Sequence, residues 1–339
     1  MPHIEQSKSL KKYNTFGLDV NAEYFTSIHS IDELIHLLQD KQFATMPKMF
    51  LGGGSNVLLT KDFQGLIIHN NLKGIEDIKR DADFVFVKAA SGEVWHDFVL
   101  FCIENGFGGV ENMSLIPGSV GAGPMQNIGA YGVEMKDVFY ELEALNLSSL
   151  QLEKFSNADC KFGYRESVFK NEKKNQYFIT SVTFRLSLHP TVNTTYGAIQ
   201  QQLQTMNVEH PTIKNVSDAV IAIRSSKLPN PAVLGNSGSF FKNPEISATE
   251  HERLKNAYPN VVAYPTNTGY KVAAGWLIEQ CGWKGKVVGN CGSHKDQALV
   301  LVNYGNATGD EIYQLALAIQ DSVFEKFQVK IIPEVNVYA

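Results

Sequence analysis

The sequence has few cysteines and lacks the patterns that mark metal sites and membrane proteins. Four cysteines occur in 339 residues without a Cys-x-x-Cys pair, so we expect free thiols in a reducing compartment. The nine histidines stand singly, with no His-x-His or His-Glu-x-x-His motif, which argues against a metal site. No apolar run approaches the roughly 18–20 residues that cross a bilayer, and the first residues do not resemble a secretory signal. We therefore expect a cytoplasmic protein without a membrane partner.

Positive charge and the common nucleotide fingerprints are also missing. Lys and Arg number 30 against 35 Asp and Glu, a net charge of −5, which does not suit a protein that neutralises nucleic-acid phosphates. Neither Gly-x-Gly-x-x-Gly nor Gly-x-x-x-x-Gly-Lys-Ser/Thr occurs, which argues against Rossmann and P-loop sites. Hydrophobic residues make up 44% and charged residues 19%, as in globular proteins. At roughly 150 residues per domain, the length predicts two or three domains.

The spacing of apolar residues predicts both helices and strands. Helices are predicted at 31–38, 93–105, 213–223, 250–258 and 271–281, and a long one after the capping box Thr308–Glu311. Strands are predicted at 47–51, 57–59, 66–68, 84–87, 139–147, 178–188, 329–332 and 335–337. Domain boundaries are expected near 73 and 212.

Two glycine-rich segments stand out among these elements. Gly52-Gly-Gly-Ser-Asn56 lies between two predicted strands, where glycines let a phosphate approach backbone N–H groups, although a tight hairpin turn explains them equally well. Residues 106–132 contain eight glycines. The part from Ile116 to Gly132 combines small residues, prolines and polar tips, which favours a flat ligand lying along the backbone.

Several polar residues are candidates for anion binding or proton transfer, each with a structural alternative. Arg165 could bind a carboxylate or phosphate of a ligand, or it could form an ion pair with Glu166. Arg224 and Lys227 could bind a diphosphate, or their positive charges could stabilise the C-terminus of a helix. Ser239 lies in a glycine-rich turn that lacks the hydrolase pattern Gly-x-Ser-x-Gly, and such a serine is usually a turn residue. Glu334 is either a desolvated carboxylate or an edge-strand charge.

Taken in chain order, these segments resemble the UDP-N-acetylenolpyruvoylglucosamine reductase family, flavoenzymes of bacterial peptidoglycan precursor synthesis. The resemblance runs from Asn14-Thr-Phe-Gly17 to Pro333-Glu334 and includes Gly163-Tyr-Arg165, Gly238-Ser-Phe-Phe-Lys-Asn-Pro244 and Asp296-Gln-Ala-Leu-Val300. Each motif is modest alone, but the set is specific. Thr195-Tyr196-Gly197 and its insert resemble the family's larger subtype, in which a tyrosine-bearing loop closes over the substrate.

The resemblance implies an α+β fold. An FAD-binding fold of the type shared with vanillyl-alcohol oxidase is followed by a C-terminal α/β substrate-binding domain, which agrees with the missing Rossmann fingerprint. The implied division is two FAD-binding subdomains at 1–73 and 74–212, a substrate-binding domain at 213–328, and terminal strands at 329–339 that carry Glu334 back to the active site.

The resemblance also implies the reaction. NADPH reduces non-covalently bound FAD, and a hydride then passes from flavin N5 to the methylene carbon of UDP-N-acetylglucosamine enolpyruvate, which gives UDP-N-acetylmuramate. Negative charge develops on the substrate carboxylate, and by matching motif Arg165 and Glu334 stabilise it. Ser239 protonates the adjacent carbon as general acid. Because serine is a poor acid at its normal pKa, it needs activation, and Lys227 is one conjecture.

The resemblance also implies which residues bind the cofactor and the substrate. FAD binding is implied for Gly52, Gly53, Gly54, Ser55, Asn56, Gly118, Ser119, Gly121, Ala122, Asn127, Ile128, Gly132 and Arg224, the last lying near the flavin or the substrate carboxylate. Substrate binding is implied for Tyr131, Tyr164, Tyr196, Lys227, Asn243 and Gln297. We expect a monomer that binds no nucleic acid.

Two other functions are open to this sequence. An oxidase of the vanillyl-alcohol type would keep the flavin fold but react with oxygen, and the Ser239 and Glu334 motifs count against it. A non-catalytic module that binds a nucleotide sugar or flavin would not need these groups.

Overall fold

The computed structural model describes residues 2–338, which form two compact units. The first comprises the residues up to Lys8, Ala22–Gly53 and Gln64–Ser226. The second comprises Ser9–Asn21, Gly54–Phe63 and the residues from Lys227 onward. The division implied by the family resemblance stays a prediction. In the structure, the helix that follows residue 212 belongs to the first unit except for its last residue.

The helices begin at recognisable local signals. The Ser30 side chain accepts the N–H of Glu33 at the start of the first helix, and the predicted capping box of Thr308 and Glu311 is confirmed at the start of the longest. The α-helices are Ile31–Gln39, Trp95–Glu104, Asn157–Cys160, Gly197–Thr205, Ile213–Lys227, Ala248–Ala257, Ala274–Gln280 and Gly309–Phe327. Short 3-10 helices are Lys11–Tyr13, Glu111–Met113, Val120–Ala122, Met135–Asp137 and Val168–Lys170.

The first unit is built on two sheets, and a short hairpin forms in its glycine-rich loop. The four-stranded sheet has the order Glu5–Ser9, Asn21–Ile28, Phe63–Asn70, Lys48–Leu51, and its last two strands run parallel. The five-stranded sheet is antiparallel throughout, in the order Leu152–Ser156, Phe139–Asn146, Tyr177–Ser187, Phe84–Ala90, Ile75–Arg80. The hairpin pairs Gly129–Ala130 with Val133–Glu134.

The helix Trp95–Glu104 shares a core with the five-stranded sheet. Phe98 and Phe184 are fully buried, with ring centroids 4.7 Å apart, and burial of one such ring contributes about 1.5–3 kcal/mol. The indole N–H of Trp95 donates to the carbonyl oxygen of Met113 at 3.0 Å. These contacts fix the start of the helix, to which the second glycine-rich segment is bonded.

The second unit surrounds the helix Gly309–Phe327. A Cβ on Gly309 would lie 1.9 Å from the carbonyl oxygen of Leu59, so the helix begins at a position that only glycine can occupy. An antiparallel sheet has the order Gly235–Ser239, Val300–Asn303, Cys291–Ser293, Val287–Val288. A second one has the order Glu245–Ile246, Tyr270–Val272, Ala263–Pro265, and Asn336–Tyr338 runs parallel to Val57–Leu59.

Most of the predicted elements are confirmed, but the strand predicted at 329–332 is wrong. Val329 and Ile331 are buried while Lys330 is exposed, so the alternation reflects packing rather than a ladder of strand hydrogen bonds. The prediction also missed the strands Glu5–Ser9 and Asn21–Ile28 and the helix Gly197–Thr205. None of the helices within residues 2–338 is long and apolar enough to cross a membrane.

Candidate active site

The first glycine-rich segment forms an exposed backbone cradle. A Cβ on Gly52 would lie 2.6 Å from the Ser119 hydroxyl oxygen, and one on Gly53 would lie 3.4 Å from the Gly118 Cα. The two glycine-rich segments therefore meet in the first unit. Within residues 2–338, the backbone N–H groups of Gly52 and Gly53 donate no hydrogen bond. Such donors, close together and unhindered by side chains, suit an anionic group.

The end of this segment is fixed within the second unit. Gly54 has a φ of +62°, and a Cβ there would lie 2.0 Å from the Tyr13 carbonyl oxygen. The amide of Asn56 donates to the carbonyl oxygen of Glu334 at 3.4 Å. Ser55 is half-buried. Glycine at 54 is thus required by the fold, whereas glycine at 53 leaves space beside a neighbouring loop.

The second segment lies along the start of the helix Trp95–Glu104. The N–H of Trp95 donates to the Gly118 carbonyl at 3.0 Å, and the N–H of Gly121 donates to the Ser91 carbonyl at 2.9 Å. A Cβ on Gly121 would lie 2.5 Å from the Ser91 Cβ, so this approach requires glycine. Ala122 follows in a 3-10 turn and is exposed.

Asn127 and Ile128 form hydrogen bonds with other residues of the protein. The Asn127 amide donates to a Glu134 carboxylate oxygen at 3.1 Å and to the Gly163 carbonyl at 3.0 Å, and its side-chain oxygen accepts the Lys136 N–H. The Ile128 N–H donates to Gly123, and its carbonyl accepts from Met135. Their role in cofactor binding stays a prediction, and the Asn127 side chain shapes the loop. Gly132 is exposed at the turn of the following hairpin, with a φ of +81°.

Arg165 is held by the backbone of the second segment. Its guanidinium donates to the Gly129 carbonyl at 2.9 Å and to the Asn127 carbonyl at 3.4 Å, and it lies 5.6 Å from the ring centroid of Tyr164. Its φ is +55°, an uncommon conformation for a residue other than glycine. The two carbonyl groups fix the position of this positive charge.

Arg224 supplies a second positive charge near Arg165. Burial is the main cause that lowers the pKa of Arg224, and the charge of Arg165 lowers it further. The guanidinium bonds the Tyr131 hydroxyl, and burial raises the pKa of that phenol. Within residues 2–338, Arg224 Nε is buried and has no hydrogen-bond partner. A guanidinium with a buried, unmet Nε donor is suited to an anionic or carbonyl-bearing ligand.

The Tyr196 ring lies against Tyr131. Their ring centroids are 5.2 Å apart at 86°, an edge-to-face contact, and Tyr196 is 49% exposed. The sequence-predicted residues Tyr131, Tyr164, Arg165, Tyr196 and Arg224 are therefore all in the first unit, and the structure brings Tyr131 together with both Tyr196 and Arg224.

Ser239 and Glu334 belong to the second unit and lie on adjacent chain segments. Ser239 ends its strand and is exposed, and within residues 2–338 its hydroxyl makes no hydrogen bond. The N–H of Glu334 donates to the Phe240 carbonyl at 2.8 Å. Phe241 bridges Pro333 in antiparallel fashion. The backbone thus places the chain segments that carry the candidate acid and the candidate carboxylate next to each other.

The three remaining substrate candidates are also in the second unit. Lys227 is exposed at the end of its helix. The side-chain oxygen of Asn243 accepts the Ala274 N–H at 2.9 Å, so Asn243 supports the start of a helix. The Gln297 side-chain oxygen lies 3.5 Å from the N–H of Leu299. Substrate contacts from these residues stay a prediction.

Sequence reasoning missed two residues that support the site. Asn112 is buried and donates to the carbonyl oxygens of Tyr131 and Asn193. His96 accepts the Leu115 N–H on its Nδ1 at 3.0 Å. The only sequence signal for Asn112 was a polar Glu-Asn pair among apolar neighbours. His96 lies on a predicted helix whose apolar pattern indicates packing against a core and gives no sign of a functional residue.

Both glycine-rich segments fall within residues 22–149, which match a family model described as an FAD binding domain. Residues 230–338 match the model of the UDP-N-acetylenolpyruvoylglucosamine reductase C-terminal domain. A relative of that name from Flavobacterium johnsoniae is 54% identical over 336 residues, 98% of this chain and 99% of the relative. The chain belongs to the UDP-N-acetylenolpyruvoylglucosamine reductase family.

Further relatives agree with this family. The reductase of Amoebophilus asiaticus is 49% identical over 335 residues, 98% of this chain and 99% of the relative. The crystal structure of the reductase from Thermus caldophilus matches all of both chains with a TM-score of 0.69 at 21% identity, a likeness that shows the fold. The expected α+β architecture, with an FAD-binding domain followed by a reductase C-terminal domain, is confirmed.

The geometry of the first unit fits FAD. The cradle at Gly52 and Gly53 offers unhindered N–H groups to a diphosphate, and Arg224 presents a buried donor without a partner among the described residues. Tyr164, Arg165, Tyr196, Arg224 and Lys227 fall between the two matched regions. Their individual roles rest on the site geometry and on the motif resemblance.

Proposed function

We propose that this chain reduces UDP-N-acetylglucosamine enolpyruvate to UDP-N-acetylmuramate with NADPH, a step of bacterial peptidoglycan precursor synthesis. The identity of 54% to a reductase of the same length is the observation that carries this conclusion. The glycine cradle and the pair of arginines support it, because the reaction needs a dinucleotide site and an anion site.

FAD, held by the two glycine-rich segments, supplies the hydride when bound. The task of Gly52, Gly53, Gly118 and Ser119 is then to hold the cofactor through backbone N–H groups and a hydroxyl. A Cβ at Gly53 would lie 3.4 Å from the Gly118 Cα, so even one added methyl group would occupy space in this cradle. Arg224 would donate its unpartnered Nε to the cofactor or to the substrate carboxylate.

Arg165 and Glu334 stabilise the charge that develops on the enolpyruvyl carboxylate. Arg165 is already fixed by the carbonyl groups of Gly129 and Asn127, so little reorganisation is needed as charge develops. A hydride adds to the methylene carbon, and electron density moves from the double bond toward the carboxylate. Glu334 takes the same role by the family resemblance.

Ser239 completes the reduction by giving its hydroxyl proton to the carbon next to the methylene carbon. The carbon–carbon double bond becomes a single bond, and Ser239 regains a proton from solvent. Its hydroxyl is exposed and makes no hydrogen bond within residues 2–338, so it is available to a substrate. The charge of the enolate-like intermediate would provide the driving force, and Lys227 is the proposed activating neighbour.

An anaerobic visible spectrum tests this function. The holoenzyme should lose its flavin colour on addition of NADPH and regain it on addition of UDP-N-acetylglucosamine enolpyruvate. Bleaching without recovery by the sugar nucleotide would remove the substrate assignment. Recovery by oxygen alone would favour an oxidase, and a folded protein that takes up no FAD would contradict the flavoenzyme assignment.

We further propose a bacterial cytoplasmic enzyme and expect it to act as a monomer. Light scattering of the purified holoenzyme measures the oligomeric state, and fractionation of the source cells tests the compartment.

A further inference from the structure

Asn112 joins two parts of the first unit through one side-chain amide. It lies in the 3-10 helix Glu111–Met113 and is 1% exposed. Its Nδ2 donates to the carbonyl oxygen of Tyr131 at 3.1 Å and to that of Asn193 at 2.9 Å. Because both acceptors are carbonyl groups, the orientation of the amide is determined, and its Oδ1 is buried without a partner within residues 2–338.

Each end of this link leads to a side chain of the candidate site. The Tyr131 hydroxyl bonds Arg224, and the Tyr131 ring meets the ring of Tyr196 edge-to-face. Asn193 accepts the N–H and the hydroxyl of Thr195 at 3.1 and 2.8 Å, which tightens the turn that carries Tyr196. Asn112 therefore fixes the backbone at Tyr131 and at the beginning of the Tyr196 turn.

The link matters because Tyr196 is half-exposed and its ring meets Tyr131 edge-to-face. An exposed ring contributes more to ligand binding when its backbone is held in place beforehand, since ordering it on binding costs conformational entropy. Loss of the amide would also leave two carbonyl groups without their buried donor.

We propose that Asn112 is a positioning residue that holds the Tyr196 turn against Tyr131 and thereby sets the affinity for the sugar nucleotide. Asn112 need not touch the substrate, since it acts through Tyr196. The inference rests on the proposed function for the identity of that substrate.

Asn112→Asp tests the link, because the carboxylate keeps the size of the side chain but has no donor for the two carbonyl groups. Binding of UDP-N-acetylmuramate to the oxidised holoenzyme is measured from the change in flavin absorbance. We expect Kd to rise roughly tenfold, about 1.4 kcal/mol, while flavin content and the rate of flavin reduction at saturating NADPH stay within about twofold of wild type. Asn112→Ser, which keeps one donor, should show a smaller rise.

A double-mutant cycle with Tyr196→Ala separates positioning from a general structural role. If Asn112 acts through Tyr196, Asn112→Asp should change Kd by less than about twofold in the Tyr196→Ala enzyme. Equal factors in both backgrounds, or an unchanged Kd in the single variant, would overturn the proposal. Loss of FAD from both Asn112 variants would assign the residue to folding of the cofactor loop and would overturn it too.

Asn105→Asp is the matched control, since the exposed Asn105 amide donates to the Phe101 carbonyl of its own helix. It should bind the product as wild type does. Failure of the wild-type enzyme to regain colour with the enolpyruvyl sugar would instead contradict the proposed function, and the two failures are thus distinguished.

Discussion

The backbone N–H of Glu334 donates to the carbonyl oxygen of Phe240, the residue that follows Ser239, at 2.8 Å. The N–H of Lys242 returns a bond to Ile332 at 2.9 Å, so the two segments run antiparallel. The chain separation between the acid and the carboxylate is nearly one hundred residues in sequence, roughly the length of a small domain, yet backbone bonds hold them as neighbours. Their chemistry can therefore be tested without changing the scaffold.

Ser239→Ala should separate the two half-reactions. Reduction of the holoenzyme by NADPH should stay near the wild-type rate, because it needs no proton on the substrate carbon. Reoxidation by UDP-N-acetylglucosamine enolpyruvate should slow by about 10²–10⁴, the usual contribution of a general acid. Anaerobic stopped-flow absorbance measures both steps. Ser237→Ala, in the same strand, serves as control, and an equal slowing of both steps in Ser239→Ala would show that the assigned role is wrong.

The sequence identified the glycine-rich segments and Arg165 because small residues and paired polar residues are visible over short spans. The polar Glu111-Asn112 pair did not reveal the role of Asn112, since its hydrogen bond to Asn193 joins positions 81 residues apart. Periodicity reports which face of an element is buried, but not which distant carbonyl a buried amide will meet. The wrong strand prediction at 329–332 has a related origin: Val329 and Ile331 are buried in alternation, but this stretch forms no strand.

Gly53→Ala should weaken cofactor binding without loss of stability, whereas Gly54→Ala should lower stability. At Gly53 the added Cβ meets only ordinary contact with Gly118 Cα at 3.4 Å, so the apoprotein should unfold at the wild-type temperature while FAD binds less tightly. At Gly54 the φ of +62° and the Tyr13 carbonyl at 2.0 Å should lower the free energy of unfolding by about 1–3 kcal/mol.

Thermal unfolding of the apoproteins and FAD titration measure these two effects. Unchanged FAD affinity in a stable Gly53→Ala protein would contradict the cradle at Gly52 and Gly53. A Gly54→Ala protein as stable as wild type would contradict the conformational requirement at that position.

Arg224→Gln should weaken binding of an anionic ligand. The substitution removes a buried positive charge that bonds Tyr131 and has an unmet Nε donor, and a hydrogen bond to a charged group is worth about 1.5–3 kcal/mol. We expect the Kd of FAD or of UDP-N-acetylmuramate to rise by at least about tenfold. Fluorescence titration of FAD and absorbance titration of the product show which of the two ligands binds less tightly. Arg80→Gln, at an exposed pair with Asp77, is the control, and wild-type values for both ligands would refute the role.

His96 should make stability depend on pH just below neutrality. Its Nδ1 accepts the Leu115 N–H, which requires the unprotonated ring. Burial lowers the pKa of His96; Asp97 opposes this with a smaller effect, and Arg224 lowers the pKa by less again. An unfolded histidine titrates near pH 6.5, so the unfolded chain binds the proton first as the pH falls. The free energy of unfolding should therefore be greatest above about pH 6.5 and decline below it.

His96→Asn isolates this contribution, because its side-chain oxygen can still accept the Leu115 N–H but does not titrate. Burial also lowers the pKa values of His69 and His294, so a partial loss of the pH dependence is expected rather than a complete one. Thermal unfolding between pH 7.5 and about pH 5.5, around the ordinary histidine pKa, should show a shallower decline in His96→Asn than in wild type. The exposed His189→Asn variant should keep the wild-type decline, and an unchanged decline in His96→Asn would mean that this ring takes up protons equally in the folded and unfolded states.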